Sequence, residues 1–136
     1  MSETGTKTVI KDVGRVAVPV TDQDRAIQFY TEKLGFSVAA DLDAGGYRWV
    51  EVAPPGGGTT LAIVPPREGD PTGIDTNVIL TTDDIDEAHG ELRSRGVDTD
   101  DEVSRMGGPV PPMFWFRDQD GNTLLLVEDS SPSQAG

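Results

Sequence analysis

The chain has 136 residues, no cysteine, and 24 acidic against 11 basic side chains, which gives a formal net charge of −13. This length suits one compact domain. The lack of thiols excludes disulfides, thiolate nucleophiles and cysteine-ligated zinc. An acidic field of this size disfavours nucleic acid and anionic membrane surfaces as partners. Because no apolar run could span a bilayer and the N-terminus lacks a signal-peptide core, we expect a cytoplasmic protein.

The first half of the chain shows apolar alternation, then an amphipathic helical stripe, then further alternation. Asp22 or Asp24 is placed to cap the helix, and Gly35 follows its end. The turn chemistry of PPGGG separates the last two strands. In chain order, the predicted elements are strand 13–20, helix 23–34, strands 37–42 and 47–53, and strand 59–64.

A Pro- and Gly-rich segment, 66–75, predicts a linker, and the same pattern then starts again. Asp83 or Asp84 is placed to cap the second helix, and Gly96 follows its end. The predicted elements are strand 76–82, helix 84–95, a short strand near 97–103, strand 112–117, a plain turn at DQDGN, and strand 123–128. Residues 1 to about 11 and the tail SSPSQAG are expected to be disordered ends.

The two halves repeat one another in sequence. A shift of 62 residues carries Asp22 to Asp84 and Ala26 to Ala88, and TLAIV at 60–64 matches TLLLV at 123–127. One small unit cannot bury its sheet face alone, so two copies stack. We therefore predict a single domain, 1–136, built from two βαβββ modules at about 12–65 and 76–128.

Strand alternation gives each module two different sheet faces. One face is uniformly aliphatic, with Val16 and Val18 in the first module and Leu124 and Leu126 in the second. This face suits packing against the helix of the module. The opposite face mixes small, polar and apolar side chains, which suits the wall of a ligand cavity.

Three segments, GRVAVPVTDQDRAIQFYTEKLGF, NVILTTDDIDEAHGELRSRGV and FWFRDQDGNTLLLVE, resemble the vicinal oxygen chelate superfamily. That group holds glyoxalase I, extradiol dioxygenases, fosfomycin-resistance transferases and bleomycin-binding proteins. The resemblance implies an α+β fold in which two βαβββ modules form a cup-shaped mixed sheet with helices on the outer face. It also implies a homodimer. Whether modules pair within one chain or between chains is left open.

Many enzymes of this group bind a divalent metal at four cup-lining positions, and the resemblance places these at Arg15, Ala62, Asn77 and Leu125. Family members have His, Gln or Glu there, whereas this chain offers a cation, a methyl group, an amide and an isobutyl group. We therefore predict no metal and no cofactor. His89, the only histidine, is expected to be a solvated helix residue beside the buried stripe.

The resemblance and the strand alternation together predict the residues that line the cup. Trp49 and Trp115 would flank a flat ligand, and Arg15 would point into the cup beside Asn77, with Glu51 as its partner. Glu51 is also a candidate general base. The predicted ligand-binding residues are Arg15, Tyr47, Trp49, Glu51, Asn77, Met113, Trp115 and Arg117, with Thr60 nearby.

These observations predict a metal-free protein that binds a small molecule, planar or cationic, and sequesters a drug or metabolite. One alternative is an enzyme of the glyoxalase or dioxygenase type with unrecognised metal ligands. A metal-free enzyme that uses Arg15 and Glu51 lies between the two. A protein-interaction module is the third alternative, favoured only if side chains fill the cup.

Overall fold

The computed structural model describes residues 5–129; the C-terminal tail predicted to be disordered lies outside this range, as do residues 1–4. The first module consists of β1 (Arg15–Pro19), α1 (Gln23–Gln28), a π-helical turn (Phe29–Lys33), β2 (Ser37–Ala44), β3 (Tyr47–Ala53) and β4 (Thr60–Val64). The second consists of β5 (Asp75–Thr82), α2 (Ile85–Ser94), β6 (Asp98–Thr99), β7 (Met113–Arg117) and β8 (Thr123–Glu128).

The strands form two four-stranded mixed sheets with the same topology. Their orders are β1-β4-β3-β2 and β5-β8-β7-β6. In each sheet the first strand runs parallel to the last strand of its module, and the other pairings are antiparallel. The α+β class and the two βαβββ modules are therefore confirmed.

Both helices begin at an aspartate cap. Asp22 accepts a hydrogen bond from the backbone N–H of Arg25, and Asp84 accepts one from that of Glu87. Each cap residue has extended backbone dihedrals, as an N-cap requires. Of the two candidates predicted for each helix, these are the ones that the structure selects.

Some predicted boundaries were wrong. The first strand starts at Arg15, and residues 5–14 are exposed and belong to no strand. The predicted helix 23–34 is α-helical only to Gln28 and then widens into the π turn. The predicted strand 97–103 shortens to β6, because the chain beyond it pairs with β7 irregularly, through Asp100 N–H to the Trp115 carbonyl and a bridge at Ser104.

The aliphatic sheet faces and the helices of both modules share one hydrophobic core. Val18 and Ile63 come from the first sheet, Phe114 and Leu124 from the second, and all four are almost completely inaccessible to solvent. Each such side chain contributes about 1.5–3 kcal/mol through burial. Since the aliphatic faces are used in this shared core, the mixed faces lie on the other side of each sheet.

A turn of the second module fastens the two modules together. Tyr30 of the π turn is fully buried and donates its hydroxyl to Asp118 at 2.8 Å. Asn122, also buried, donates to the Pro19 carbonyl at the end of β1 at 2.8 Å. Thr21 donates to Asp120 of the same turn. This turn therefore fixes the relative position of the modules.

Candidate functional site

Glu51 is the polar centre of the mixed face of the first sheet. It lies on β3 with only 6% of its surface exposed. Its carboxylate accepts hydrogen bonds from the Arg15 guanidinium, from the Trp49 indole N–H at 2.6 Å and from the Thr60 hydroxyl at 2.9 Å. Alternation places Trp49 and Glu51 on one face of β3, while the pairing of β1 with β4 brings Arg15 opposite Thr60.

These three donors stabilise the ionised form of Glu51. The pKa of this carboxyl lies below its ordinary value. The hydrogen bond from the Trp49 indole lowers the pKa most, that from the Arg15 guanidinium comes next, and that from Thr60 has a smaller effect. Together they outweigh desolvation, which raises the pKa. Arg15 keeps 58% of its side chain exposed, so its pairing with Glu51 is partly screened by water. The group is therefore held as a carboxylate at neutral pH.

The mixed face of the second sheet carries Met113, Trp115 and Arg117. These side chains are half-buried on β7, whereas the alternating Phe114 and Phe116 are buried in the core. Trp115 lies opposite Leu125 of β8. The indole therefore has an aliphatic neighbour on this face.

Arg117 is held by two carboxylates on the mixed face of the second sheet. It donates to Asp98 at 3.0 Å and to Asp100 at 2.9 Å. Arg117 lowers the pKa of Asp98, and in return the carboxylates, Asp98 first, raise the pKa of Arg117. The two carboxylates therefore hold the guanidinium in a defined position.

The predicted cup residues thus fall into two groups on two sheets. Arg15, Trp49 and Glu51 lie together in the first group, and the three β7 residues form the second. The predicted Arg15–Glu51 contact is present. Asn77 lies on β5 with a positive φ of 59°, its backbone N–H donates to Asp75, and within residues 5–129 no hydrogen bond joins it to Arg15. Tyr47 is exposed at the start of β3.

The four family metal positions do not fit a divalent metal. Arg15 brings a cation, Ala62 and Leu125 bring only hydrocarbon, and Asn77 brings one amide oxygen. Zinc and iron sites need several imidazole, thiolate or carboxylate ligands. Across residues 5–129, no group of three or more His, Asp or Glu side chains is arranged to hold a metal ion.

His89 is not a solvated helix residue as predicted. Its ring packs edge-on against Phe114, with ring centroids 4.8 Å apart, and its Nε2 lies 2.8 Å from the Asp100 carbonyl oxygen. It is half-buried because β7 and the segment after β6 close over this side of α2. The histidine therefore has a structural role between helix and sheet.

Sequence reasoning missed two features. The turn DQDGN contains a buried carboxylate, Asp118, which accepts a hydrogen bond from Tyr30. A tyrosine on a helix stripe gives no sign of a partner 88 residues away.

A cavity of about 1060 Å³ also lies between the modules on their helix side. Its floor is apolar, including Leu61, Leu80 and Leu92. Among the predicted ligand-binding residues, Asn77 is the one that lines it.

Two βαβββ modules, each with one mixed sheet face and one helix-covered sheet face, define the class of fold. Residues 12–126 match the Glyoxalase/Bleomycin resistance protein/Dioxygenase superfamily. The chain belongs to this superfamily. No helix in the described part of the chain is long and apolar enough to cross a membrane.

Similar proteins cover most of the chain. YetH of Bacillus subtilis (strain 168) is 37% identical over 123 residues, which cover 88% of this chain and all of YetH. The crystal structure of a superfamily member from Sphaerobacter thermophilus DSM 20745 is 37% identical, with a TM-score of 0.81, over 90% of this chain and all of that one. That of TnmS3, an antibiotic binding protein from Streptomyces sp. CB03234, is 35% identical, with a TM-score of 0.78, over 91% of this chain and all of TnmS3.

Proposed function

We propose that this chain is a metal-free binding protein that sequesters a small flat molecule, and that two copies together build its binding cup. The single observation that carries the proposal is the Glu51 network. A general base at neutral pH works best with a pKa near 7. Glu51 instead has a lowered pKa and three donors, which suits a fixed anchor for Arg15 and Trp49.

The two indoles support a flat ligand. The N–H of Trp49 is engaged by Glu51, which fixes the ring on the mixed face, and Trp115 is half-buried on the other mixed face. Each ring can stack on a flat ligand or contact a cation, for on the order of 1 kcal/mol. The net charge of −13 attracts cations. The exposed part of Arg15 can donate to a ligand carbonyl or carboxylate.

The position of the mixed faces supports a homodimer. Within one chain they lie on the sides of the sheets that the shared core does not use. In a dimer with a two-fold axis, the second module of each copy can pack against the first module of the other copy. TnmS3, at 35% identity, is an antibiotic binding protein, which agrees with a role in holding a small molecule.

Tryptophan fluorescence titration tests this function, because the chain has two tryptophans, both in the proposed cup. The probes are proflavine as a flat cation, anthraquinone-2-carboxylate as a flat anion, and metal-free bleomycin. We expect saturable quenching by at least one probe, with the probe recovered chemically unchanged. Trp115→Ala should weaken binding about fivefold or more. Arg15→Ala should weaken it less.

Met106→Ala is the matched control, since Met106 is exposed on the loop after β6 and is not part of a strand that carries a mixed face. It should bind like the parent chain. Absence of saturable binding by all three probes, conversion of a probe, or equal binding by Trp115→Ala would contradict the proposal. Sedimentation of a dilute sample as monomer alone would contradict the shared cup.

A further inference from the structure

We propose that the cup takes flat aromatic acids in one orientation, with the carboxylate at Arg15 and the apolar end on Leu42. Leu42 thereby becomes a specificity-determining residue of the site. This inference rests on the proposed function, since it assumes a ligand in the same cup, and it adds the chemical class and the direction of that ligand. The contacts that carry it lie along the mixed face of the first sheet, from its polar centre to the edge strand β2.

The guanidinium of Arg15 is the polar group that this face offers to a ligand. Glu51 is 6% exposed, and its carboxylate already accepts three hydrogen bonds. Arg15 contacts Glu51 through Nε and keeps 58% of its side chain exposed. Within residues 5–129 its two Nη groups donate no hydrogen bond, whereas Arg117 uses both of its Nη groups on carboxylates. An edge with two parallel N–H donors matches the two oxygens of a ligand carboxylate.

The acidic charge of the whole chain does not decide the class of ligand at this point. Exposed charges more than about 10 Å apart are largely screened at ordinary salt, whereas a contact with Arg15 acts at hydrogen-bond distance. The acidic residues of β2 also lie on the other face of the sheet. Asp41 and Asp43 are opposite Val50 and Arg48, and Asp41 accepts hydrogen bonds from Arg48 there. β2 therefore brings no negative charge to the mixed face.

The indole of Trp49 forms the flat middle of the site. Its N–H and the Nε of Arg15 donate to the same oxygen of Glu51, Oε2, so the edge of the indole lies next to the guanidinium. The engaged N–H also fixes the orientation of the ring, which is half-buried. An aromatic ligand that stacks on this indole can therefore place one edge at Arg15.

Leu42 lies at the other end of the same face. It is opposite Trp49 in the pairing of β2 with β3, so the two side chains are neighbours on one face. Leu42 is 60% exposed, and the β2 residues on either side of it on this face, Ala40 and Ala44, are small. One strand spacing and two residues separate Leu42 from Glu51, which is about 8 Å. A two-ring aromatic molecule spans this distance, so its far end meets hydrocarbon.

Three naphthalene probes test the orientation by isothermal titration calorimetry at pH 7. They are 6-butyl-2-naphthoate, 2-naphthoate, which lacks the tail, and 6-butyl-2-naphthamide, which lacks the charge. The butyl tail should tighten binding to the parent chain about tenfold. Leu42→Thr keeps a β-branched residue on the strand and should reduce this gain to about threefold or less. Val38→Thr is the matched control, since Val38 is also exposed on β2 but lies opposite Val52, on the core side of the sheet. It should keep the full gain.

Arg15→Lys tests the polar end without changing the net charge of the chain. Lysine can still pair with Glu51, but it cannot present two parallel N–H donors to a carboxylate. The preference for 6-butyl-2-naphthoate over 6-butyl-2-naphthamide should fall about threefold from the parent chain to the variant, a modest change because the site is partly exposed. Arg67→Lys, on the exposed linker, is the control and should keep the preference of the parent chain.

An equal gain from the butyl tail in Leu42→Thr and in the parent chain would overturn the role of Leu42. An unchanged preference for the acid in Arg15→Lys would overturn the orientation. Binding of proflavine without binding of either naphthoate would overturn this inference alone, whereas a lack of binding by every probe would overturn the proposed function as well. Thermal unfolding checks that each variant folds. Leu42→Ala or Arg15→Gln takes the place of a variant that does not.

Discussion

Replacing Glu51 with glutamine tests whether this carboxylate is a charged anchor. Glutamine keeps the size of the side chain and can place its oxygen where Arg15 and Trp49 donate, while its amide group faces the Thr60 hydroxyl, which can rotate to accept. Hydrogen bonds would persist, but without charge. Charge-assisted hydrogen bonds are about twice as strong as neutral ones, so the hydrogen bonds from Trp49 and from Thr60 should each weaken by about 1 kcal/mol.

The Arg15 pairing adds little to this difference, because that guanidinium is more than half exposed. We therefore expect Glu51→Gln to lower the free energy of unfolding by about 2 kcal/mol at pH 7. For a chain of this size, the midpoint of thermal unfolding should fall by roughly 6–10 °C. Glu32→Gln is the matched control, since Glu32 is exposed on the π turn, and it should change stability by less than about 0.5 kcal/mol.

The pH dependence gives the same test a second measurement. The folded-state pKa of Glu51 lies below its ordinary value of 4.5, so its stabilising effect is complete above that pH. The effect is lost as pH falls through the folded-state pKa. The stability difference between the parent chain and Glu51→Gln should shrink over that acid range. Chemical unfolding curves at several pH values measure it.

Trp49 can report this titration directly in a Trp115→Phe background, because its indole donates to Glu51. The emission should change with a midpoint below 4.5. A midpoint near neutrality would refute the anchor role and make Glu51 a candidate proton acceptor. A Glu51→Gln chain as stable as its parent at pH 7 would refute the energetic reasoning.

The remaining predictions concern the module contact and metal binding. Tyr30→Phe should destabilise the chain by about 1.5–2 kcal/mol, because Asp118 loses one buried donor but keeps the hydrogen bond from the Asn122 side chain. Tyr47→Phe, at an exposed position, is the control and should not change the midpoint of thermal unfolding. Because burial and then Asp118 raise the pKa of Tyr30, the parent chain should lose stability as pH rises above 10, and this loss should be smaller in Tyr30→Phe. Elemental analysis of protein purified without chelator should find far less than one zinc, nickel, manganese or iron per chain; a stoichiometric metal would contradict the reading of the four family positions.

The sequence predicted the modules, the helix caps and the sheet faces, because each depends on local periodicity. The alternation of Phe114 and Trp115 on β7 is an example. The Arg15–Glu51 contact was also foreseen, because the family resemblance and the strand alternation together turn both residues toward the same face. Short-range pattern was enough for the modules, the caps and the sheet faces, whereas this contact needed the resemblance as well.

What remained hidden depends on how the modules meet. The Tyr30–Asp118 bond joins residues that no periodicity relates, and Asn77 lines the cavity between the modules because β5 lies at a sheet edge. The helix-side packing of the modules fixes both features. His89 was misjudged for the same reason, since its environment comes from β7 and the segment after β6.

The π turn accounts for a one-residue difference in length between the helical segments of the two modules. Thirteen positions separate Asp22 from Gly35, but twelve separate Asp84 from Gly96. The backbone N–H of Phe36 reaches the Tyr30 carbonyl across six residues, whereas that of Val97 reaches the Leu92 carbonyl across five. The first helix therefore holds one surplus residue as a bulge within its final turn. Tyr30 and Phe36 stay buried on either side of it, so a duplicated module can change its length in mid-helix without disturbing its anchors in the core.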